Sequence, residues 1–326
     1  MKNNNIKNIR WGIIGLGNIA NKFAADLATV ENAELVAVAS RSEQNADEFA
    51  ATFKSKKAYN SYEELAKDTE IDAVYIATPH SFHKEHSILC LQNKKAVLCE
   101  KPFAMNLQEV TEMIAVAKEN NVLLMEALWT FFLPHYNYVL EIVKNEKFGK
   151  LKQLEADFGF CFRGDKESRA FKKELGGGSL LDIGIYPIFA ALSTLGNPDS
   201  IDANATFFEN GVDSVCNMVF NYKKAKAILK SSFIEETPTH AIFTFDKAIV
   251  KINTHFHEPA TVTIIEKDKE ETIDFKYTTI GYSFEIEYFN QLLREDKKES
   301  TIMTFEFSRN LITTLDKVRN IIGLEY

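Results

Sequence analysis

The sequence predicts an N-terminal doubly wound parallel sheet, followed by an open, mostly antiparallel sheet that carries helices on one face. Up to about residue 130, short continuous apolar runs alternate with amphipathic helical patterns, as is typical of parallel strands covered on both faces. Beyond residue 134, strand patterns follow one another across short polar turns, which indicates antiparallel pairing. A chain of 326 residues is long enough for two domains, which we place at 1–130 and 131–326.

The elements of the first domain follow from this pattern in order. Buried strands are predicted at 10–15, 34–40, 71–77, 95–100 and 122–126. Helices are predicted up to residue 28, at 61–67 and 86–92, and after Asn106, whose side chain should cap the Glu109 amide while Glu109 reaches back. Because the carboxyl ends of parallel strands meet at one edge, the residues that follow these strands should line one crevice.

A glycine-rich turn joins the first strand to the first helix. Gly15 permits a tight turn, Gly17 lets a pyrophosphate approach the backbone, and Ala20 allows the helix to pack closely on the strand. The amides at the helix N-terminus then face the phosphates. This context predicts a dinucleotide-binding Rossmann fold, with contacts from Gly15, Leu16, Gly17, Asn18 and Ile19.

The end of the second strand indicates which dinucleotide binds. An NAD site usually places an acidic residue there to bind the ribose 2′-hydroxyl, whereas this chain has Ser40, Arg41 and Ser42. The guanidinium and the two hydroxyls suit a 2′-phosphate, so we predict NADP(H) in preference to NAD(H). The alternative is that Arg41 is a solvated residue that closes the turn.

The second domain is predicted to contain about eight strands, at 151–162, 200–208, 214–221, 225–233, 241–245, 248–253, 260–266 and 272–277. Helices are predicted at 138–147, 180–195, 285–294 and 308–323. These helices can cover one face of the sheet and would leave the other exposing Met218, Phe220, Tyr222, Leu229 and Phe233. Such an apolar patch usually marks an interface, which predicts a homodimer through this sheet. Loops or the last helix folded over the patch would instead leave a monomer.

Charge and cysteine content argue against several classes of partner. Lys and Arg total 38 against 46 Asp and Glu, a net charge of −8 with no basic patch, so we expect no nucleic-acid partner. No apolar stretch approaches the roughly 20 residues of a membrane span, and the four cysteines form no CxxC pair. These features predict a cytoplasmic protein with reduced thiols and no membrane partner.

Four motifs together resemble the Gfo/Idh/MocA oxidoreductase family. They are GLGNIA at 15–20, ATPHSFHKEH at 77–86, CEKPFAMN at 99–106 and GGGSLLDIGIYPI at 176–188. EALWTFFLPHY at 126–136 is most similar to the dimeric dihydrodiol dehydrogenase and NADP-dependent xylose dehydrogenase branch. The resemblance covers nearly the whole chain. It implies a dimeric oxidoreductase that acts on a cyclic sugar, a hydroxyketone or a trans-dihydrodiol.

Three residues are the predicted catalytic set. Hydride transfer between a carbinol carbon and a nicotinamide needs a group that moves the hydroxyl proton, and a tyrosine can do so where a cation lowers its pKa from about 10. The resemblance implies Tyr186 as this acid/base, Lys101 as the cation and Asp182 as the residue that orients the substrate. Asp182 lies one helical turn before Tyr186, so both side chains should share a face. Each residue taken alone could equally be an ordinary core, cap or surface residue.

Further contacts are expected around this set. The cofactor should also touch Thr78, Pro79, His80, His83, Glu100, Lys101 and Arg169, and the substrate should touch Trp129, Phe158, Asp182, Tyr186 and Phe284. Arg169 is almost as well explained by a surface salt bridge.

Two histidine patterns and one alternative function complete these predictions. His80, His83 and His86 form an HxxHxxH pattern without a fourth ligand, so polar contacts in the crevice are favoured over a metal site. His257 lies near a position where related dehydrogenases often carry Trp, so the pocket wall should differ there.

The alternative function is a catalytically silent NADP-binding regulator of sugar metabolism, which would not need the catalytic set.

Overall fold

The structure, a computed structural model, describes residues 7–163 and 168–326. The chain divides into two compact units, one formed by Met1–Trp129 with Thr278–Arg309 and the other by Thr130–Tyr277 with Asn310–Tyr326. The predicted second domain, 131–326, contained the segment 278–309, which the structure groups with the first unit. Two buried hydrogen bonds show why. The Trp11 indole donates to Asn290 Oδ1 at 3.1 Å, and Asp26 accepts from the Ser283 amide at 3.0 Å.

Nine α-helices lie within the described ranges: α1 (Asn18–Leu27), α2 (Glu43–Phe53), α3 (Tyr62–Lys67), α4 (His83–Gln92), α5 (Leu107–Asn120), α6 (Pro134–Lys144), α7 (Ile185–Leu195), α8 (Tyr282–Arg294) and α9 (Phe305–Ile322). The strands are β1 (Ile9–Ile14), β2 (Ala33–Ala39), β3 (Lys57–Tyr59), β4 (Ala73–Ile76), β5 (Ala96–Glu100), β6 (Leu124–Ala127), β7 (Leu151–Gly159), β8 (Ser200–Phe207), β9 (Asp213–Tyr222), β10 (Ala225–Ser232), β11 (Ala241–Phe245), β12 (Ile249–Ile252), β13 (Val262–Glu266) and β14 (Lys269–Ile273).

The first unit is the predicted doubly wound sheet. Its six strands are all parallel in the order β3-β2-β1-β4-β5-β6, so the strand order reverses between β1 and β4. The sequence patterns missed α2 and β3. As predicted, Asn106 caps α5 by accepting from the Glu109 amide at 2.9 Å. The Glu109 carboxylate reaches back to the Met105 amide rather than to that of Asn106.

The second unit contains an eight-stranded sheet in the order β14-β13-β12-β11-β7-β10-β9-β8. Neighbouring strands are antiparallel except for β7 and β10, so the prediction of a mostly antiparallel sheet is confirmed. The last predicted strand, 272–277, lies too late in the sequence, because β14 spans Lys269–Ile273 and shares only residues 272–273 with it. The turn between β13 and β14 is tighter than expected, because Lys267 adopts a positive φ of 51° and Glu266 pairs with Lys269.

The helices cover the face of this sheet that was predicted to be exposed. Met218, Phe220, Leu229 and Phe233 are 0–1% exposed and Tyr222 is half-buried, so these residues form no exposed patch. The prediction placed them on the wrong face, because α7 and the turn before it pack on β7, β9 and β10 from that side. Ile228, which is 38% exposed, lies on the opposite face.

One apolar stretch has the length and composition of a membrane span. An 18-residue window within Lys173–Leu195 has a mean hydropathy of 1.5, but 89% of that window is buried inside the structure. A core helix of a soluble protein has the same properties, so this stretch gives little support to a membrane span.

Candidate active site

The glycine turn of the first unit fits the pyrophosphate of a dinucleotide. Gly15 has a φ of +89°, and a Cβ there would lie 2.7 Å from backbone atoms of Ala77 and Thr78, so only glycine fits. A Cβ on Gly17 would meet nothing within 4 Å, which leaves open space in front of the N-terminus of α1. Ala20 is fully buried, as close packing of the helix requires. These observations match the geometry that brings phosphates close to backbone amides.

The residues after β2 form an exposed, polar turn. Ser42 caps α2 by accepting from the Asn45 amide at 3.3 Å, and the Ser42 amide donates to Ser40 Oγ at 3.2 Å. Arg41 is exposed, and its charge opposes the burial that raises the pKa of Tyr62. The turn therefore presents one guanidinium and two hydroxyls at the carboxyl end of β2.

Two histidines of α4 hold the segment after β4. His83 Nε2 lies 2.8 Å from the Thr78 carbonyl oxygen, and His86 Nδ1 lies 3.0 Å from Thr78 Oγ1. Burial lowers the pKa of His86. His80, only 3% exposed, has its ring 5.7 Å from that of His83. No cluster of three His, Cys, Asp or Glu side chains that could hold a metal ion occurs in the described ranges.

Buried acidic groups lie beneath the carboxyl ends of β4, β5 and β6. The Tyr75 hydroxyl donates to Glu100 Oε1, and burial beside this carboxylate raises the pKa of Tyr75 well above its usual value. Glu126 is only 2% exposed, and burial raises its pKa to about 7. Lys101 follows Glu100 directly and is half-buried, so its charge has carboxyl groups close by in the same unit.

The predicted substrate aromatics belong to different units. Trp129 stacks on Tyr282 of α8 with ring centroids 4.3 Å apart, and Phe284 is half-buried two residues further along the same helix. All three lie in the first unit. Phe158 lies on β7 of the second unit.

In the second unit, Phe158, Tyr186 and His257 form one aromatic group. The His257 ring stacks on Phe158 at 4.1 Å and lies 4.7 Å from the Tyr186 ring, while Phe158 and Tyr186 are 5.8 Å apart. A cavity of about 380 Å³ opens beside them and is lined by Phe158, Gly159, Phe160, Glu236, Thr237, Thr239, His255, His257 and Glu258. The structure therefore brings Tyr186 and Phe158, two predicted site residues, into contact with each other and with His257.

Asp182 lies in a π-helical turn, Leu180–Gly184, that runs directly into α7 and Tyr186. Such turns often occur at functional sites. Asp182 Oδ1 accepts from Arg169 Nη2 at 3.0 Å, so Arg169 forms the ion pair that was the alternative to cofactor contact. Any contact of Arg169 with the cofactor stays a prediction.

The start of the π-helical turn is fixed by a residue that the sequence patterns missed. Asp213, the first residue of β9, accepts from Ser179 Oγ and from the Leu180 amide, both at 2.7 Å. A Cβ on Gly178 would lie 2.1 Å from Asp213 Oδ1, so the third glycine of the GGG run leaves room for this carboxylate. The signal available in the sequence was a lone acidic residue directly before an apolar strand.

Comparison with known proteins places this chain in a family. The family model "Oxidoreductase family, NAD-binding Rossmann fold" matches residues 9–128, and the GFO/IDH/MocA C-terminal domain matches residues 136–260. A trans-1,2-dihydrobenzene-1,2-diol dehydrogenase of Xenopus tropicalis is 37% identical over 97% of this chain and 99% of its own length. A scyllo-inositol 2-dehydrogenase (NADP(+)) of Bacillus subtilis is 36% identical over 98% of both chains.

Solved structures agree with this assignment. A 3-ketoreductase from Actinomadura kijaniata, in complex with NADP and TDP-benzene, is 25% identical with a TM-score of 0.87 and covers 96% of this chain and 98% of its own. Its fold accounts for both sheets. The chain belongs to the Gfo/Idh/MocA family and is an NAD(P)-dependent oxidoreductase that acts on CH–OH groups.

Proposed function

We propose that this protein is an NADP-dependent oxidoreductase that transfers a hydride between the nicotinamide and a carbinol or carbonyl carbon of a sugar, hydroxyketone or trans-dihydrodiol. The observation that supports it most is the buried Tyr186, which is 5% exposed and packs against Phe158 and His257, two residues that line the cavity. Tyr186 lies in α7, directly after the π-helical turn that carries Asp182. A protein that only sensed the cofactor would have no need of this arrangement.

The roles we propose for the chain's own residues follow from their chemistry. When bound, the nicotinamide supplies or accepts the hydride. Tyr186 gives or takes the hydroxyl proton, and Lys101 favours its phenolate form. Asp182, held by Arg169, accepts a hydrogen bond from a substrate hydroxyl. Trp129, Phe158 and Phe284 shield the reacting carbon from water.

A substrate panel tests the proposed function. Initial rates with aldoses, inositols, hydroxyketones and trans-dihydrodiols, each with NADP⁺ and NADPH, should show turnover of at least one class. The dihydrodiol and inositol relatives give the first two substrates to try. Cofactor binding without turnover of any substrate in the panel would support the regulator instead.

Removal of the guanidinium after β2 should change the cofactor preference. We expect Arg41→Ala to weaken NADP⁺ binding by about 1.5–3 kcal/mol, the value of a hydrogen bond to a charged group, and to leave NAD⁺ binding nearly unchanged. Calorimetric titration with both cofactors measures this. Arg294→Ala, which removes another exposed guanidinium from the same unit, is the control and should alter neither affinity. Equal affinity of the wild type for NADP⁺ and NAD⁺ would refute the preference.

We also propose a homodimer formed through the open face of the eight-stranded sheet. Because the predicted apolar patch is buried, it does not support this dimer. The support comes from the family resemblance and from the exposed Ile228, which lies on the open face beside its cross-strand neighbours Val219 and Glu155. Light scattering should give twice the 37.0 kDa of one chain, and Ile228→Lys should lower that mass. Ile321→Lys, at a 48% exposed residue of α9, is the control. A single 37 kDa species of the wild type at micromolar concentration contradicts the dimer.

A cytoplasmic location is part of the proposal. All four cysteines are unpaired, as expected in a reducing compartment.

A further inference from the structure

A fully buried histidine connects two of the loops that we place around the cofactor. His83, the first residue of α4, is 0% exposed. Its Nε2 lies 2.8 Å from the carbonyl oxygen of Thr78, which follows β4, and its Nδ1 lies 2.8 Å from the carbonyl oxygen of Pro102, which follows Lys101. One imidazole ring therefore spans from the turn after β4 to the turn after β5.

The chemistry of these two partners sets the protonation state of the ring. Carbonyl oxygens accept hydrogen bonds and donate none. A neutral imidazole has one N–H and can satisfy only one of them, so two bonds at 2.8 Å need a hydrogen on each nitrogen. Both hydrogen bonds can therefore be made together only by an imidazolium cation. Both nitrogens then point at the backbone. A direct contact of His83 with the cofactor, expected from the sequence, stays a prediction.

The two carbonyl groups that His83 contacts lie next to segments with proposed functional roles. On one side, Thr78 packs against Gly15, where the distance from its amide nitrogen to an added Cβ would be only 2.7 Å, so fixing Thr78 also fixes the glycine turn. On the other side, Pro102 is the residue directly after Lys101. A displacement of about 1 Å of a reacting group can cost as much as a hundredfold in rate, so a bond that sets this spacing has a functional consequence.

We propose that His83 is a positioning residue, a doubly protonated clamp that joins the Thr78 and Pro102 carbonyls and so holds Lys101 in register with the glycine turn. The role assigned to Lys101 rests on the proposed function, whereas the protonation state and the clamp itself do not.

A nitrogen NMR spectrum of the wild-type protein, labelled at its histidine side chains, tests the clamp without any substrate. The His83 signals are assigned by their loss in His83→Asn. We expect both ring nitrogens at pH 7 to be protonated, each with a slowly exchanging hydrogen. A His83 ring with one nitrogen bare would overturn the proposal, even if the enzyme is fully active.

Kinetics test the positioning role against a purely structural one. His83→Asn should lower kcat by about 10- to 100-fold. In the alcohol-oxidation direction, the rising limb of the pH profile of kcat should move to higher pH, because a displaced Lys101 no longer favours the tyrosine phenolate. Lys95→Met is the matched control. Lys95 is a buried cation of the same sheet, and its Nζ donates to the carbonyls of Asp68 at 2.5 Å and Ile71 at 3.0 Å, at the opposite end of β5 from Lys101.

The two variants should differ in kinetics and not in stability alone. Both should lower the melting temperature, but only His83→Asn should change kcat and its pH profile. Equal kinetic effects of the two variants, or an unchanged pH profile in His83→Asn, would show that His83 only stabilises the fold. Failure of the proposed function would look different: the wild type would turn over no substrate, while the NMR result would still stand.

Discussion

Tyr186→Phe is expected to lower kcat by at least about 10²-fold while the cofactor still binds. The substitution removes one hydroxyl and keeps the ring, which packs against Phe158 and His257. The loss should therefore come from the missing proton transfer and not from rearrangement of the aromatic group. Steady-state kinetics with NADP⁺ and the best substrate of the panel measure kcat, and fluorescence titration measures cofactor affinity.

A second tyrosine of the same unit provides the control for this experiment. The Tyr136 hydroxyl lies 2.6 Å from Ser193 Oγ on α7, and the Tyr136 ring stacks on Phe189 of the same helix. Tyr136→Phe removes a buried hydroxyl next to the helix that carries Tyr186, so it should lower stability by about 1 kcal/mol and leave kcat near the wild-type value. If Tyr186→Phe behaved like Tyr136→Phe, Tyr186 would be a core residue and the proposed acid/base role would be wrong.

The fold could be predicted from the sequence because its main signals are local. Continuous apolar runs, a glycine turn between strand and helix, and an Asn106 cap each depend on neighbours in the chain. The assignment of 278–309 could not be predicted in this way, because it depends on contacts such as that between Trp11 and Asn290, which are 279 positions apart. The apolar stripe of helix α8 would fit the core of either unit. Which unit the helix joins is therefore decided by its packing partners and not by its own sequence pattern.

Sequence analysis could not predict either which face of the second sheet the helices cover. Alternation shows that Leu229 and Ile228 point to opposite faces, but not which face meets α7. The site shows the same limit. Sequence motifs pointed to the segment that carries Asp182 and Tyr186 and to the glycine turn. The contacts of Asp213 and of His83 could not be predicted, because they join backbone groups that are distant in the sequence. Polar residues that act on the backbone of other segments leave little trace in a local pattern.

Asp213 is an anionic group kept at a high energetic cost. It is 0% exposed, and burial raises its pKa to about 6, although bonds from Ser179 and the Leu180 amide oppose this rise. The Cys216 thiol and the Tyr326 hydroxyl both interact electrostatically with it. A carboxyl group whose pKa is higher in the folded than in the unfolded chain binds its proton more tightly when folded. Its ionisation therefore costs folding free energy as pH rises from about 4 to above 6.

Asp213→Asn keeps an oxygen acceptor for Ser179 and Leu180 and removes this titration, so the stability difference between the two proteins should depend on pH. A shift of about two pKa units corresponds to about 3 kcal/mol, and we expect the wild type to gain about that much relative to Asp213→Asn when the pH falls from 7 to 4. Urea unfolding of both proteins across this range measures the difference. Asp274→Asn is the control. Lys276 lowers the pKa of the Asp274 carboxyl. The stability difference between the wild type and Asp274→Asn should therefore change slightly in the opposite direction as the pH falls. A wild-type-to-Asn difference that stays constant from pH 7 to pH 4 would mean that Asp213 has the same pKa in the folded and the unfolded chain, and that burial at the start of the π-helical turn does not oppose its ionisation.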